Sequence, residues 1–127
     1  MEDTIKWVSG PVYSIQLYLI TDGEYTKVGL SKYPNERLQT LSTASPRELS
    51  IFAAFQVCFP AHILETALHQ KLTEMGYHSN REWFQIAPEE IVEKILPLVK
   101  DEVVRKAEQY TNARRTLVDR KTKWPKT

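Results

Sequence analysis

A chain of 127 residues, 42% hydrophobic and 26% charged, is sized for one domain with its own core, and its formal net charge of +1 argues against action through bulk charge alone. The single cysteine, Cys58, excludes an internal disulfide and a four-cysteine zinc site. No apolar run is long enough to span a membrane, and the first residues carry charge without an apolar signal stretch, so the expected setting is a reducing cytoplasm with no membrane partner.

In chain order, the first signal is a hairpin. Asp22-Gly23 lies between alternating apolar runs, which predicts strands over about residues 12–21 and 24–31 joined by a two-residue turn. In that register Tyr18 faces Lys27 and Gln16 faces Gly29. Side chains alternate across a strand, so Tyr18, Lys27 and Gly29 share one face, while Leu17, Leu19, Val28 and Leu30 take the core face. A phenol beside an ammonium is expected to ionise more easily. Gly29 leaves room for something to approach the sheet.

Pro34, a favoured first helical residue, opens a helix that ends near Ser42. The β-rich residues 48–57 predict a buried third strand. Pro60 opens a second helix reaching Met75, with Gly76 as its stop. Residues 82–86 form a short extended segment, in which Glu82 is either a second acid of the site or, as the preferred reading, a surface residue while Trp83 and Phe84 plug the core. Pro88, followed by Glu89 and Glu90, opens a third helix that Pro97 should kink or split. Weak order is expected beyond about Tyr110. The last part is basic: from Arg105 onward eight lysines and arginines stand against two acids, which suits contact with a polyanion.

Each of the first two helices puts a charged residue at the border of an apolar stripe. Arg37 lies about 70° from the centre of the Pro34, Leu38, Leu41 stripe at about 100° per residue. Glu65 borders the stripe of Leu64, Leu68, Leu72 and Met75, with His62 and His69 further round. Tyr18, Lys27, Arg37 and Glu65 can therefore converge on one face of a small sheet. These residue types suit metal-assisted phosphodiester hydrolysis. That reaction needs a proton acceptor for water, a guanidinium for the phosphoryl oxygens and a carboxylate for a hard cation. Singly, each residue also has an ordinary structural reading. His62, Glu65 and His69 can also be read as a zinc set, though soft-metal sites normally show tighter spacing and a further ligand.

The segments "LYLI", "KVGLS", "NERL", "LETALH" and "EWF", in that order, resemble the GIY-YIG nuclease superfamily over roughly residues 13–86. The resemblance is to the phage and bacterial branch, where lysine commonly replaces the second motif tyrosine. It matches Tyr18 to the tyrosine of the first motif, and Lys27 and Gly29 to the first and last positions of the second. It matches Arg37 to the family arginine and Glu65 to the metal-binding glutamate, with His69 in an E-x-x-x-H pair that recurs in this branch. Gln16 and Leu17 depart from the first motif. Leu41 stands where some members carry a histidine, and Asn80 is the nearest counterpart of a family asparagine.

The resemblance implies an α+β fold, a small three-stranded antiparallel sheet flanked by helices. Residues 1–87 would form the nuclease core, and residues 88–127 a C-terminal helical extension with a basic tail in the same domain. The implied activity is divalent-metal-dependent hydrolysis of DNA by a cytoplasmic endonuclease. Tyr18, Lys27, Arg37, Glu65 and His69 would be catalytic, with Glu65 holding Mg²⁺ or Mn²⁺. Gly29, Ser31, Lys32, Arg114 and Arg115 are the expected substrate contacts, while Trp124 in the tail either stacks on a base or is simply exposed. Sequence specificity would come from a protein partner, a homodimer or DNA structure. The alternatives are a catalytically silent nucleic-acid-binding module of the same fold, and a protein-docking adaptor.

Overall fold

The computed structural model describes residues 3–123. Its elements are β1 (Asp3–Ile5), β2 (Gln16–Thr21), β3 (Thr26–Ser31), α1 (Pro34–Thr43), β4 (Ser50–Val57), α2 (Ala61–Glu74), β5 (Ser79–Asn80), β6 (Trp83–Phe84), α3 (Pro88–Glu90), a π-helical segment (Ile91–Ile95) and α4 (Leu96–Lys123). The fold is mixed α+β. The sheet has six strands in the order β1-β4-β2-β3-β6-β5, not the three expected. Its centre is the antiparallel trio β4-β2-β3. The additions lie at the edges: β1 runs parallel to β4, and the short β5–β6 hairpin pairs with the start of β3. Strands of two or three residues are too short to show an alternating pattern.

The hairpin register also differs from expectation. Thr21 pairs with Thr26, Ile20 with Lys27, and Tyr18 with Gly29. The loop is Asp22 to Tyr25, because the Asp22 carboxylate accepts the backbone N–H groups of Glu24 at 2.9 Å and Tyr25 at 2.7 Å. The Thr21 hydroxyl donates to the Tyr25 carbonyl at 2.8 Å, and Gly23 takes φ 100°. Side-chain acceptors of this kind organise a longer turn than the Asp-Gly pair alone. The slip is an even number of residues, so the faces are kept. Tyr18, Lys27 and Gly29 still share one side, but the partner of Tyr18 is Gly29 rather than Lys27.

That pairing explains the glycine. A Cβ at Gly29 would lie 2.5 Å from Cζ of Tyr18, inside contact distance. The Tyr18 ring therefore lies against the bare α-carbon opposite it. Gly29 makes room for this ring and is itself buried, which corrects its assignment as a substrate contact.

Helices cover both faces. On the Leu17 and Leu19 side, α2 contributes Leu64, Ala67, Leu68 and Leu72, and the long C-terminal helix adds Val99, Val103 and Ala107. The spacing of three and four residues in α2 forms one continuous apolar stripe. On the Tyr18 and Ile20 side, Leu38 and Leu41 of α1 pack with Leu49, Ile51 and Trp83. No residue of α1 is fully buried, so this layer is thin, with a polar outer side. Gly76, at φ 85°, follows the end of α2.

Pro97 cannot donate to the carbonyl of Glu93, and its ring presses on that carbonyl. The chain widens into a π-helical turn at Ile91–Ile95 just before it and continues as helix. Beyond Tyr110 the described chain continues as helix, and α4 runs to Lys123. No glycine or proline occurs between Leu98 and Lys123, and Glu102 pairs with Lys106 at 3.2 Å one turn on. Among the described residues, no helix is long and apolar enough to cross a membrane.

Gly29→Ala should lower stability by about 1–3 kcal/mol or more, as overpacking of a filled site does. Urea unfolding checks this, and an unchanged midpoint would contradict the Tyr18–Gly29 packing.

Candidate functional site

Tyr18 is 1% exposed in the middle of β2. Its phenol feels the guanidinium of Arg37, which projects from the exposed side of α1. Burial raises the pKa of the phenol above its ordinary 10.0, the Arg37 contact and charge pull it down, and the carboxylates of Glu82 and Glu65 push it up. Burial outweighs the arginine. The expectation that Lys27 eases this ionisation does not hold, because the cation acting on Tyr18 is Arg37.

Lys27 lies opposite Ile20, two pairs along the hairpin from Tyr18 and on the same face. Only 7% of it is exposed. Its Nζ is 2.6 Å from Oε2 of Glu82 and 5.7 Å from the centre of the Trp83 ring. A buried ammonium needs such a partner. The carboxylate comes from the two-residue turn between β5 and β6, where Arg81 takes φ 64°. The pairing of Trp83 with Lys27 fixes the position of that turn, and the Val28 N–H donates to the Glu82 carbonyl at 3.1 Å. Glu82, expected at the surface in preference to a second acid of the site, is thus paired with Lys27 in this cluster. The sequence signal was its place beside two aromatics that anchor on β3.

Glu65 sits half-buried on α2. Burial raises its pKa above 4.5 and Glu82 raises it further, while His69, Lys27 and His62 act in the opposite direction. His69 fixes the helix to the sheet edge: its Nε2 donates to the Val28 carbonyl at 2.8 Å, and its ring meets Phe84 edge-on at 5.2 Å. A carbonyl can only accept, so Nε2 carries a proton and is not free to ligate a metal. His69 therefore ties α2 to β3 one turn after Glu65.

Five side chains thus act on one another: Tyr18, Lys27, Arg37, Glu65 and Glu82. Other expected contacts lie elsewhere. Ser31 Oγ caps the following turn by accepting the Tyr33 N–H at 2.9 Å, and Lys32 is exposed. Arg114 bonds to the Tyr110 hydroxyl at 3.2 Å and lies over its ring, in a separate cluster with Tyr13. The Arg115 side chain and the whole of Trp124 lie outside the described residues.

Among the described residues no three histidines, cysteines or acids are grouped to hold a metal, so His62, Glu65 and His69 do not form a zinc set. A hard cation asks for less. The Glu65 carboxylate, burdened by burial and by Glu82, is the kind of oxygen ligand that Mg²⁺ or Mn²⁺ accepts with waters and phosphate completing the shell.

A family model for the T5orf172 domain matches residues 10–100. The chain belongs to the T5orf172 domain family. The matched region takes in all five interacting residues and stops early in α4. No curated protein and no solved structure matches the chain.

The raised pKa of Glu65 has a consequence for stability. Its ionised form is disfavoured in the folded state, so the folded protein loses stability as pH rises from the unfolded value through the higher folded one. Without metal, Glu65→Gln should raise Tm by about 1–3 °C at pH 7, an advantage that vanishes well below pH 4.5. Thermal denaturation in chelator at the two pH values checks this. A destabilised Gln variant at pH 7 would contradict it.

Proposed function

We propose that the protein hydrolyses DNA phosphodiester bonds with a divalent cation, as an endonuclease of the GIY-YIG type. The observation that supports this reading most is that Arg37 of α1 and Glu65 of α2 both lie close enough to the Tyr18 phenol of β2 to act on its charge. A phenol, a guanidinium and a hard carboxylate are the groups that the chemistry requires.

Arg37 is exposed and carries the fork that fits two phosphoryl oxygens. As it turns from the Tyr18 phenol to a phosphate, it uncovers the phenol oxygen and stabilises charge growing on phosphorus. A water oxygen then bonds to phosphorus, the bond to the leaving sugar oxygen breaks, and a water proton passes to Tyr18 in its ionised form. Glu65 holds the cation, and Lys27 and Glu82 fix each other beside it. When bound, the cation supplies positive charge to the departing oxygen. The raised pKa makes Tyr18 a strong base that is scarce at neutral pH, so the rate should climb as the medium becomes alkaline.

The near-complete burial of Tyr18 also favours a second reading, a module of this fold that binds DNA without cutting it. Cleavage assays distinguish the two. Supercoiled plasmid and a labelled single strand should be cut in Mg²⁺ or Mn²⁺ and left intact in EDTA. Glu65→Ala, Arg37→Ala and Tyr18→Phe should each lose about 100-fold or more in rate, and the wild-type rate should still be rising above pH 9. DNA bound but never cut would support the second reading. Full activity in Glu65→Ala or Arg37→Ala would defeat the first.

A further inference from the structure

We propose that the cavity beside the β2–β3 turn is a nucleobase pocket, which takes one unstacked base of the strand whose phosphate lies at Arg37. The proposal rests on the DNA reading for its substrate and adds how that substrate is selected. The cavity has a volume of about 410 Å³, within the range of small-molecule sites, about 300–1,000 Å³. Tyr25 and Trp83 give it aromatic walls, and Leu41 and Ala44 close it from the end of α1. Asp22, His78 and Asn80 supply polar groups around this apolar interior.

This is the chemistry of base recognition. Every base has a π-face that stacks on Tyr or Trp, and unpaired base edges are read by amides and carboxylates. Asp22 is rigidly placed for the task. One of its oxygens accepts two backbone N–H groups of the turn, and the other lies 3.7 Å from an Arg47 guanidinium that bonds Glu24 at 2.8 Å. A carboxylate has acceptor sites beyond these, suited to an exocyclic amine.

The pocket adjoins the five-residue site at two points. Trp83, one of its walls, follows Glu82 in the chain and lies under the Lys27 ammonium at 5.7 Å. Leu41 stands four residues, a rise of about 6 Å, beyond Arg37 on α1. A base in the cavity would therefore leave its own phosphate near Arg37 and Lys27. A stacked duplex cannot present a base in this way, so the substrate is a single strand, a loop or a duplex with a base turned out.

The test uses the indole N–H signal of Trp83 in NMR spectra of the whole chain. The probes are deoxynucleoside 5′-monophosphates and deoxyribose 5-phosphate, which has no base. Ala44→Phe fills the cavity from an exposed helix end and leaves the five-residue site intact. Nucleotides should shift the Trp83 signal, the sugar phosphate should not, and Ala44→Phe should abolish the shift. In parallel, a single-stranded oligonucleotide should bind about tenfold more tightly than one carrying abasic positions, a gap that Ala44→Phe closes. Equal shifts from both probes, or a base-dependent shift that survives Ala44→Phe, would overturn the pocket. Metal-dependent cleavage with no preference for intact over abasic strands would also overturn it, and would leave the nuclease reading standing. Base-dependent shifts without cleavage would keep the pocket and remove the nuclease reading.

Discussion

The ring of Tyr18 lies against the bare α-carbon of Gly29, and the polar face of the molecule is arranged around that contact. With a side chain at position 29 the ring would have to leave the sheet, and the phenol would lose its place beside Arg37. Lys27 lies two pairs along, opposite Ile20, where Trp83 and Glu82 receive it. The β5–β6 hairpin, only four paired residues, therefore holds the ammonium in position as well as extending the sheet.

Burial sets the electrostatic character of the site. Tyr18 and Glu65 both have ionised forms that the folded protein disfavours; the charge of Glu82 adds to this at both groups, and the charge of Glu65 adds to it at the phenol. Lys27, Arg37 and the histidines of α2 relieve part of it. Added positive charge, from a cation at Glu65 or from any cationic group of a ligand, would favour both ionised forms at once. A face so arranged gives up stability in the free protein, a trade seen where sites are built for binding or chemistry rather than for folding.

Much of this was legible in the sequence. Side-chain alternation put Tyr18, Lys27 and Gly29 on one face, and that assignment survived a register error because the slip was even. Pro34, Gly76 and Pro88 marked helix boundaries for local reasons of backbone geometry. Other features depended on side chains or distant contacts. Asp22 bonds two backbone N–H groups and so lengthens the turn, which moved Tyr18 opposite Gly29. Glu82 reaches Lys27 only because β6 pairs across 55 residues of sequence, an encounter that no local pattern announces. The direction of the Tyr18 pKa needed its degree of burial, and the length of α4 was masked by a basic composition that does not itself break a helix.

The central claim is that Tyr18, Arg37, Glu65 and Glu82 act on one another in the folded protein. The most direct measurement is an NMR titration of the ¹³C-labelled Tyr18 ring in the wild type and three variants. The phenol should titrate above 10.0 in the wild type, higher still in Arg37→Ala, and lower than the wild type in Glu65→Gln and Glu82→Gln. A phenol that titrates at its ordinary value in all four proteins would contradict the account.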